Sequence, residues 1–221
     1  MAVMRTPARP VEPEPPTAQP APRQRAIFLD KDGTIIENVP YNVDPALLKL
    51  TPSAIEGLRL LQARGFLLVI VTNQSGLARR LFDRLQLNQA LAALRAMLAA
   101  GGVHIQDVFV CPHAPAPSPL APGCLCRKPA PGLLLQAAAV HQIDLRRSWM
   151  IGDILNDVEA GRRAGCRTVL MDVGNETEWR LTPIRRPDIQ APDLLEAARA
   201  ILAHEDAPQD AAVSSPQTEK P

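Results

Sequence analysis

Aromatic residues are nearly missing from this chain. Four Phe, two Trp and one Tyr make up 3% of its 221 residues. That scarcity argues against base-stacking surfaces of the kind that hold single-stranded nucleic acid. A surplus of charge of one sign is missing too: the formal net charge is +1, so no global field draws nucleic acid or an anionic membrane. No uninterrupted apolar run reaches the length of a membrane span. The start, Met1 to Arg25, lacks the apolar stretch of a secretory signal and is broken repeatedly by proline. These absences lead us to expect a cytoplasmic protein, monomeric, with neither nucleic acid nor membrane as a partner.

What is present suits one ordinary globular domain with a sizeable core. Hydrophobic residues make up 46% and charged residues 21% of the chain. Residues 1–25 are rich in Pro, Ala, Glu and Arg without hydrophobic period, so they bury too little to offset their ordering entropy. The stretch 205–221 reads the same way. Both are expected to be disordered, leaving a folded domain over 26–204.

Within it, short apolar runs alternate with helical patterns. The runs are Ala26 to Leu29, Phe66 to Val71, Val108 to Val110, Trp149 to Ile151 and Thr168 to Met171. Such runs separated by helices predict a parallel sheet buried on both faces. Helices are predicted over Pro52 to Arg64, Asp83 to Ala100, Pro131 to His141, Asn156 to Ala164 and Asp193 to Ala203. Asp83 and Gln86 have the spacing of a capping box. Leu87, Leu91, Leu94 and Leu98 form a stripe that reads as core. The fold class is α/β, a doubly wound parallel sheet whose ligands bind beyond the carboxyl ends of the strands.

Chemistry collects at those ends. The first run stops at Asp30-Lys31-Asp32-Gly33-Thr34. Carboxylates at i and i+2 of an extended chain point the same way. They repel unless a cation lies between them or one holds a proton. Mg²⁺ prefers oxygen ligands and keeps waters that a phosphate can replace. The second run leads into Thr72-Asn73-Gln74-Ser75-Gly76, where a hydroxyl and an amide can donate to phosphate oxygens. The fourth leads into Gly152-Asp153, with Asp157 beyond it. Arg127-Lys128-Pro129 places two cations near a helix start, suited to a transferring phosphoryl group.

Cys111-Pro112-His113 and Cys124-Leu125-Cys126 supply three thiolates and an imidazole, a set that suits closed, tetrahedral, structural Zn²⁺. The spacing within each pair is tighter than in the usual finger. The intervening loop holds Pro115, Pro117, Pro119 and Pro122 and has little to pack, so a metal would be its staple. Cys166 stands apart and reads as an ordinary buried small residue.

Taken in order, these motifs resemble the four signatures of the haloacid dehalogenase superfamily of phosphohydrolases, over about 26–200. The resemblance implies the family's Rossmann-like fold and a phospho-aspartate mechanism. Asp30 would be the nucleophile and Asp32 the acid and base. Thr72 and Lys128 would hold the phosphoryl oxygens. Mg²⁺ would be held by Asp30, Asp153 and, judging by the family, the backbone carbonyl of Asp32, with Asp157 supporting the site without binding metal.

The cysteine loop followed by Arg-Lys-Pro is similar to one branch of that superfamily. The branch includes the D-glycero-D-manno-heptose 1,7-bisphosphate phosphatases and the histidinol-phosphate phosphatases, and neither has a large cap domain. The long stretch from His113 to Cys124, the run Thr72 to Arg79, and Tyr41 favour the heptose group. By that match Asn38, Tyr41, Asn73, Gln74, Ser75 and Arg127 would contact a small phosphorylated metabolite.

Three positions depart from the heptose pattern. Ile154 stands where a lysine is usual, which removes one charge-assisted contact worth about 1–3 kcal/mol. Lys31 replaces the commoner arginine, and Asn38 to Tyr41 lacks the usual glycine. The expected activity is removal of the C7 phosphate of the heptose bisphosphate. Histidinol phosphate or another sugar phosphate stays open as substrate. So does a catalytically silent scaffold, although all of Asp30, Asp32, Thr72, Lys128 and Asp153 are present.

Overall fold

The computed structural model describes residues 23–117 and 123–207. Six parallel strands form one sheet in the order β3-β2-β1-β4-β5-β6. They are β1 (Ala26–Leu29), β2 (Leu67–Asn73), β3 (Asp107–Cys111), β4 (Trp149–Gly152), β5 (Arg167–Met171) and β6 (Ile189–Ala191). The helices are α1 (Ala54–Ala63), α2 (Arg84–Ala100), α3 (Gly132–His141), α4 (Leu155–Ala164) and α5 (Leu194–Asp206). β1 lies at the centre, with Phe28 opposite Val69 on one side and Met150 on the other.

The strand runs are apolar throughout because both faces are covered. Ile27, Leu29, Leu68, Ile70, Trp149 and Ile151 pack on the side of α1, α2 and α5. Phe28, Val69, Val71 and Met150 alternate with them and pack on the side of α3 and α4. Neighbouring side chains of a strand point to opposite faces, so each run feeds both cores. Burying a side chain such as Leu29 or Phe28 contributes roughly 1.5–3 kcal/mol.

Helix boundaries follow their caps. Asp83 accepts from Gln86 N–H at 2.8 Å and Gln86 returns a bond to Asp83 N–H at 2.9 Å, the reciprocal box expected for α2. α1 starts two residues later than predicted, because Ser53 has φ +60° and keeps Pro52 and Ser53 outside the helix. Of the leucine stripe, Leu87, Leu94 and Leu98 are buried and Leu91 is half-buried.

Three further boundaries differ from expectation. β2 runs on through Thr72 and Asn73 because β3 pairs with both. β6 was not foreseen: three residues with one exposed carry no readable pattern, and pairing with β5 makes them a strand. The domain also reaches beyond 26–204. Gln24 bridges to Ile143, and α5 continues through Glu205 and Asp206. Glu205 accepts from Arg25, Trp149 Nε1 and Arg167, contacts that sequence composition does not reveal. The remaining residues expected to be disordered, 1–22 and 208–221, lie outside the described residues. No insert the size of a cap domain interrupts the described elements, and among the described residues no helix is long and apolar enough to cross a membrane.

Candidate active site

Asp30 is the first residue past the central strand. Its N–H donates to Ile151 O of β4 at 3.0 Å, which seats it between β1 and β4. The chain then folds back through Gly33 at φ +85°, and Gly33 N–H donates to Ile36 O. A side chain there would collide with its surroundings: a Cβ would lie 2.0 Å from Asp153 Oδ2. Asp153 follows the last residue of β4. Asp157 rises from the first turn of α4, and Gly152 leaves it room, since a Cβ there would come within 2.3 Å of its carboxylate.

Asp30, Asp153 and Asp157 each bring an oxygen to within 4.8 Å of the others, and all three are buried. One ammonium faces them. Lys128 Nζ donates to Asp30 Oδ1 at 2.5 Å and to Val71 O at 2.9 Å. It also lies 2.7 Å from Asp157 Oδ1, an ion pair between two buried side chains. Burial alone lowers a lysine, but Asp157 and then Asp30 outweigh it and hold Lys128 above its ordinary value. Burial pushes Asp153 up to about 8, and Asp157 and Asp30 add to the rise. Burial likewise lifts Asp157 to about 6 against the pull of Lys128. Three carboxylates against one lysine leave surplus negative charge in a dry place, which a divalent cation with oxygen ligands would neutralise.

Asp32 sits in a different setting. Its Oδ1 accepts from Lys31 Nζ at 2.6 Å and its Oδ2 from Gln74 Nε2 at 2.9 Å. Burial still raises it above the ordinary carboxylate value; Lys31 opposes and the Asp30 charge adds. A carboxyl raised in this way is better matched to proton exchange than an ordinary carboxylate. Gln74 Nε2 also reaches Thr72 Oγ1 at 2.9 Å, tying the buried hydroxyl of β2 to Asp32.

A cleft of about 260 Å³ opens beside Asp32, lined by Asn38 to Asn42 and Asn73 to Ser75. Asn38, Tyr41, Asn73, Gln74 and Ser75 are therefore together. The amide of Asn73 is turned to the main chain of Lys128, donating to its O and accepting from its N–H, both at 3.1 Å. Arg127 is not among the residues lining this cleft. Its guanidinium donates to His113 O at 3.1 Å, beside the cysteines. A larger concavity of about 820 Å³ lies at the amino ends of β1 and β4, away from all these groups. Two of its arginines, Arg162 and Arg163, are paired with Asp188 and Glu159.

Cys111 at the end of β3 meets His113, Cys124 and Cys126. Cys111 Sγ lies 3.6 Å from both His113 Nδ1 and Cys124 Sγ, Cys126 Sγ lies 3.5 Å from Cys124 Sγ, and His113 Nδ1 lies 3.3 Å from Cys126 Sγ. Ligand atoms around a tetrahedral zinc at its usual bond lengths stand about 3.5–3.8 Å apart. The cluster could thus hold a metal. Pro119 and Pro122 of this loop lie outside the described residues. Cys166 is buried alone in the core.

Two contacts had no sequence signal. Asn175, in the connection after β5, donates to Asp153 Oδ2 at 2.8 Å. Glu176 accepts from Leu155 N–H, at the start of α4, at 2.6 Å. Their one clue is general: the loops beyond the carboxyl ends of the strands surround the ligand crevice, and this connection is one of them.

Comparison with known proteins agrees with this geometry. The HAD-hydrolase-like family model matches residues 125–197. The D-glycero-beta-D-manno-heptose-1,7-bisphosphate 7-phosphatase of Pasteurella multocida is 40% identical over 153 residues, 68% of this chain and 83% of that protein. The enzyme of the same name from Pseudomonas aeruginosa is 33% identical over 80% of this chain and 97% of its own length. Among solved structures, the D,D-heptose 1,7-bisphosphate phosphatase of B. bronchiseptica, complexed with magnesium and phosphate, superposes with a TM-score of 0.68. It shares 30% identity over 81% of this chain and 99% of that one.

Proposed function

Because this chain belongs to the haloacid-dehalogenase-like phosphatases, in the family of the manno-heptose-1,7-bisphosphate 7-phosphatases, we propose that it removes the C7 phosphate of D-glycero-D-manno-heptose 1,7-bisphosphate through a phospho-aspartate on Asp30. The observation that carries this reading is the arrangement of two carboxylates in contrasting settings. Asp30 is bound to Lys128 within the cluster that also holds Asp153 and Asp157, whereas Asp32 stands outside that cluster, held by Lys31 and Gln74 beside the cleft and raised by burial. A carboxylate inside the cation cluster is placed to attack phosphorus, and one beside the cleft is placed to exchange a proton with the leaving group.

An Asp30 oxygen attacks phosphorus while the bond from phosphorus to the sugar oxygen breaks. Asp32 gives its proton to that leaving oxygen. Asp32 then takes a proton from water, which attacks the phosphoryl group, frees inorganic phosphate and restores the Asp30 carboxylate. Lys128 stays charged throughout and, with Thr72, steadies the phosphoryl oxygens. Asp157 keeps Lys128 in position from behind.

The clustered, buried oxygens of Asp30, Asp153 and Asp157 and the raised Asp153 fit a site built for a cation. Mg²⁺ held by Asp30, Asp153 and the Asp32 carbonyl would supply the charge that lets an anionic nucleophile approach an anionic phosphate. Zn²⁺ held by Cys111, His113, Cys124 and Cys126 would fasten the loop that leads into Lys128. Asn38, Tyr41 and Ser75 offer groups to the sugar along the cleft. Asn73 and Gln74 form its wall, and Arg127 has donors to spare beyond the one on His113 O. Thiols kept for a metal suit the reducing cytoplasm.

The test is phosphate release with Mg²⁺ from both anomers of the heptose bisphosphate, from histidinol phosphate and from common sugar monophosphates. A large kcat/KM preference for one heptose anomer supports the reading. Preference for another substrate keeps the chemistry and rejects the sugar, and Ile154 becomes the first position to exchange.

A further inference from the structure

Asp153 is gripped through both of its oxygens. Thr34 Oγ1 donates to Oδ1 at 3.3 Å, from the turn after β1. Asn175 Nδ2 donates to Oδ2 at 2.8 Å, from the connection after β5. The second grip is the shorter, and the structure makes room for it: a Cβ on Gly33 would meet Asp153 Oδ2 and lie 2.5 Å from Asn175 Nδ2. The next residue fastens the same segment. Glu176 Oε2 accepts from Leu155 N–H, two residues past Asp153, and Glu176 Oε1 accepts from Glu178 N–H at 2.7 Å. A carboxylate at the first turn of a helix is favourably placed against its free N–H groups.

We propose that the segment Asn175-Glu176 is a strap that positions Asp153. Asn175 orients the carboxylate and Glu176 anchors Asn175 to α4. The inference rests on the reading of Asp153 as a cation ligand. Asn175 is then a positioning residue that acts through Asp153. An amide can only donate through Nδ2, so it fixes the plane of the carboxylate and lowers the cost of keeping it ionised among Asp30 and Asp157. Partners that orient a metal ligand in this way typically govern affinity by about 10–100-fold.

The experiment compares wild type with Asn175→Ala, Asn175→Asp and Glu176→Gln. Mg²⁺ affinity is read by calorimetry on the chelated, full-length protein, and kcat and KM at saturating Mg²⁺. Asn175→Ala should weaken Mg²⁺ binding about tenfold or more, with kcat largely recovered by excess Mg²⁺ and KM for substrate unchanged. Asn175→Asp, which replaces the donor by a fourth carboxylate, should not rescue it. Glu176→Gln should show the same defect in milder form. Thermal melts of the chelated variants control for folding, since a merely structural role would shift melting without shifting Mg²⁺ affinity. Affinity within twofold of wild type in a folded Asn175→Ala protein overturns the inference. Wild type that binds Mg²⁺ but hydrolyses no sugar phosphate rejects the proposed substrate and leaves the affinity comparison decisive for the strap.

Discussion

Lys128 Nζ stands 2.5 Å from Asp30 Oδ1 and is buried with it, although the two residues are 98 positions apart. The same ammonium lies 2.7 Å from Asp157. A lysine so enclosed is charged because of its neighbours, and they are tolerable because of it. Lys128→Ala should therefore cost about 3–5 kcal/mol of stability in addition to activity, the usual result of stranding buried charge. Adding Asp157→Asn should return part of that loss. Denaturant melts of the single and double variants check it, and strict additivity would show that the pair is not coupled.

Asp30→Asn should lower turnover roughly 10⁴-fold or more while the fold persists, because the amide cannot form the phospho-enzyme. Single-turnover phosphate release beside a circular dichroism melt reads both. Substantial residual activity would remove Asp30 as nucleophile.

Gly33→Ala probes space and not charge. The added methyl would lie 2.0 Å from Asp153 Oδ2, on a backbone at φ +85°. Misplacing a group at such a site by about 1 Å can cost 10²-fold in rate. The kcat/KM of the variant should fall by about that factor, well beyond what its loss of stability would explain. A variant with unchanged activity would show that Asp153 need not occupy this position.

Cys124→Ser should lower zinc content and thermal stability more than it lowers the activity of surviving folded enzyme. Metal analysis by mass spectrometry decides it: zinc still near one per chain would contradict the four-ligand cluster.

Chelation should be visible in the pH dependence of stability. In metal-free protein Asp153 is raised from 3.8 to about 8. Between those values the folded chain holds a proton that the unfolded chain has released, so stability falls as pH rises through that window. Urea midpoints of chelated protein should drop between pH 5 and pH 8, and excess Mg²⁺ should flatten the slope. An equal slope with and without Mg²⁺ would dissociate Asp153 from the cation.

Strand and helix positions were readable because a buried parallel sheet demands continuous apolar runs and a capped helix demands its cap. Ala26 to Leu29 and the Asp83–Gln86 box are both local statements. Asp30, Asp32, Thr72, Lys128 and Asp153 could be singled out because each stands at a strand end or beside a helix start, and the fold brings Asp30 to Lys128 and ties Asp32 through Gln74 to Thr72.

Other features depended on residues far away in sequence. Ser53 adopts φ +60° in a helix-start sequence, and β6 exists only by pairing with β5. Asn175 has no motif, and its meaning comes from lying 2.8 Å from Asp153. Asn73 could be placed in the site from its position, but its bonds to the Lys128 main chain appear only in the folded chain. Five of the six strands, the loops that follow them and the kinds of chemistry those loops carry could be read along the chain, since burial pattern and side-chain type are local properties. Which groups share a proton, a cation or a hydrogen bond was decided by the tertiary structure alone, because those interactions act over a few ångströms and the fold chooses which distant residues come that close.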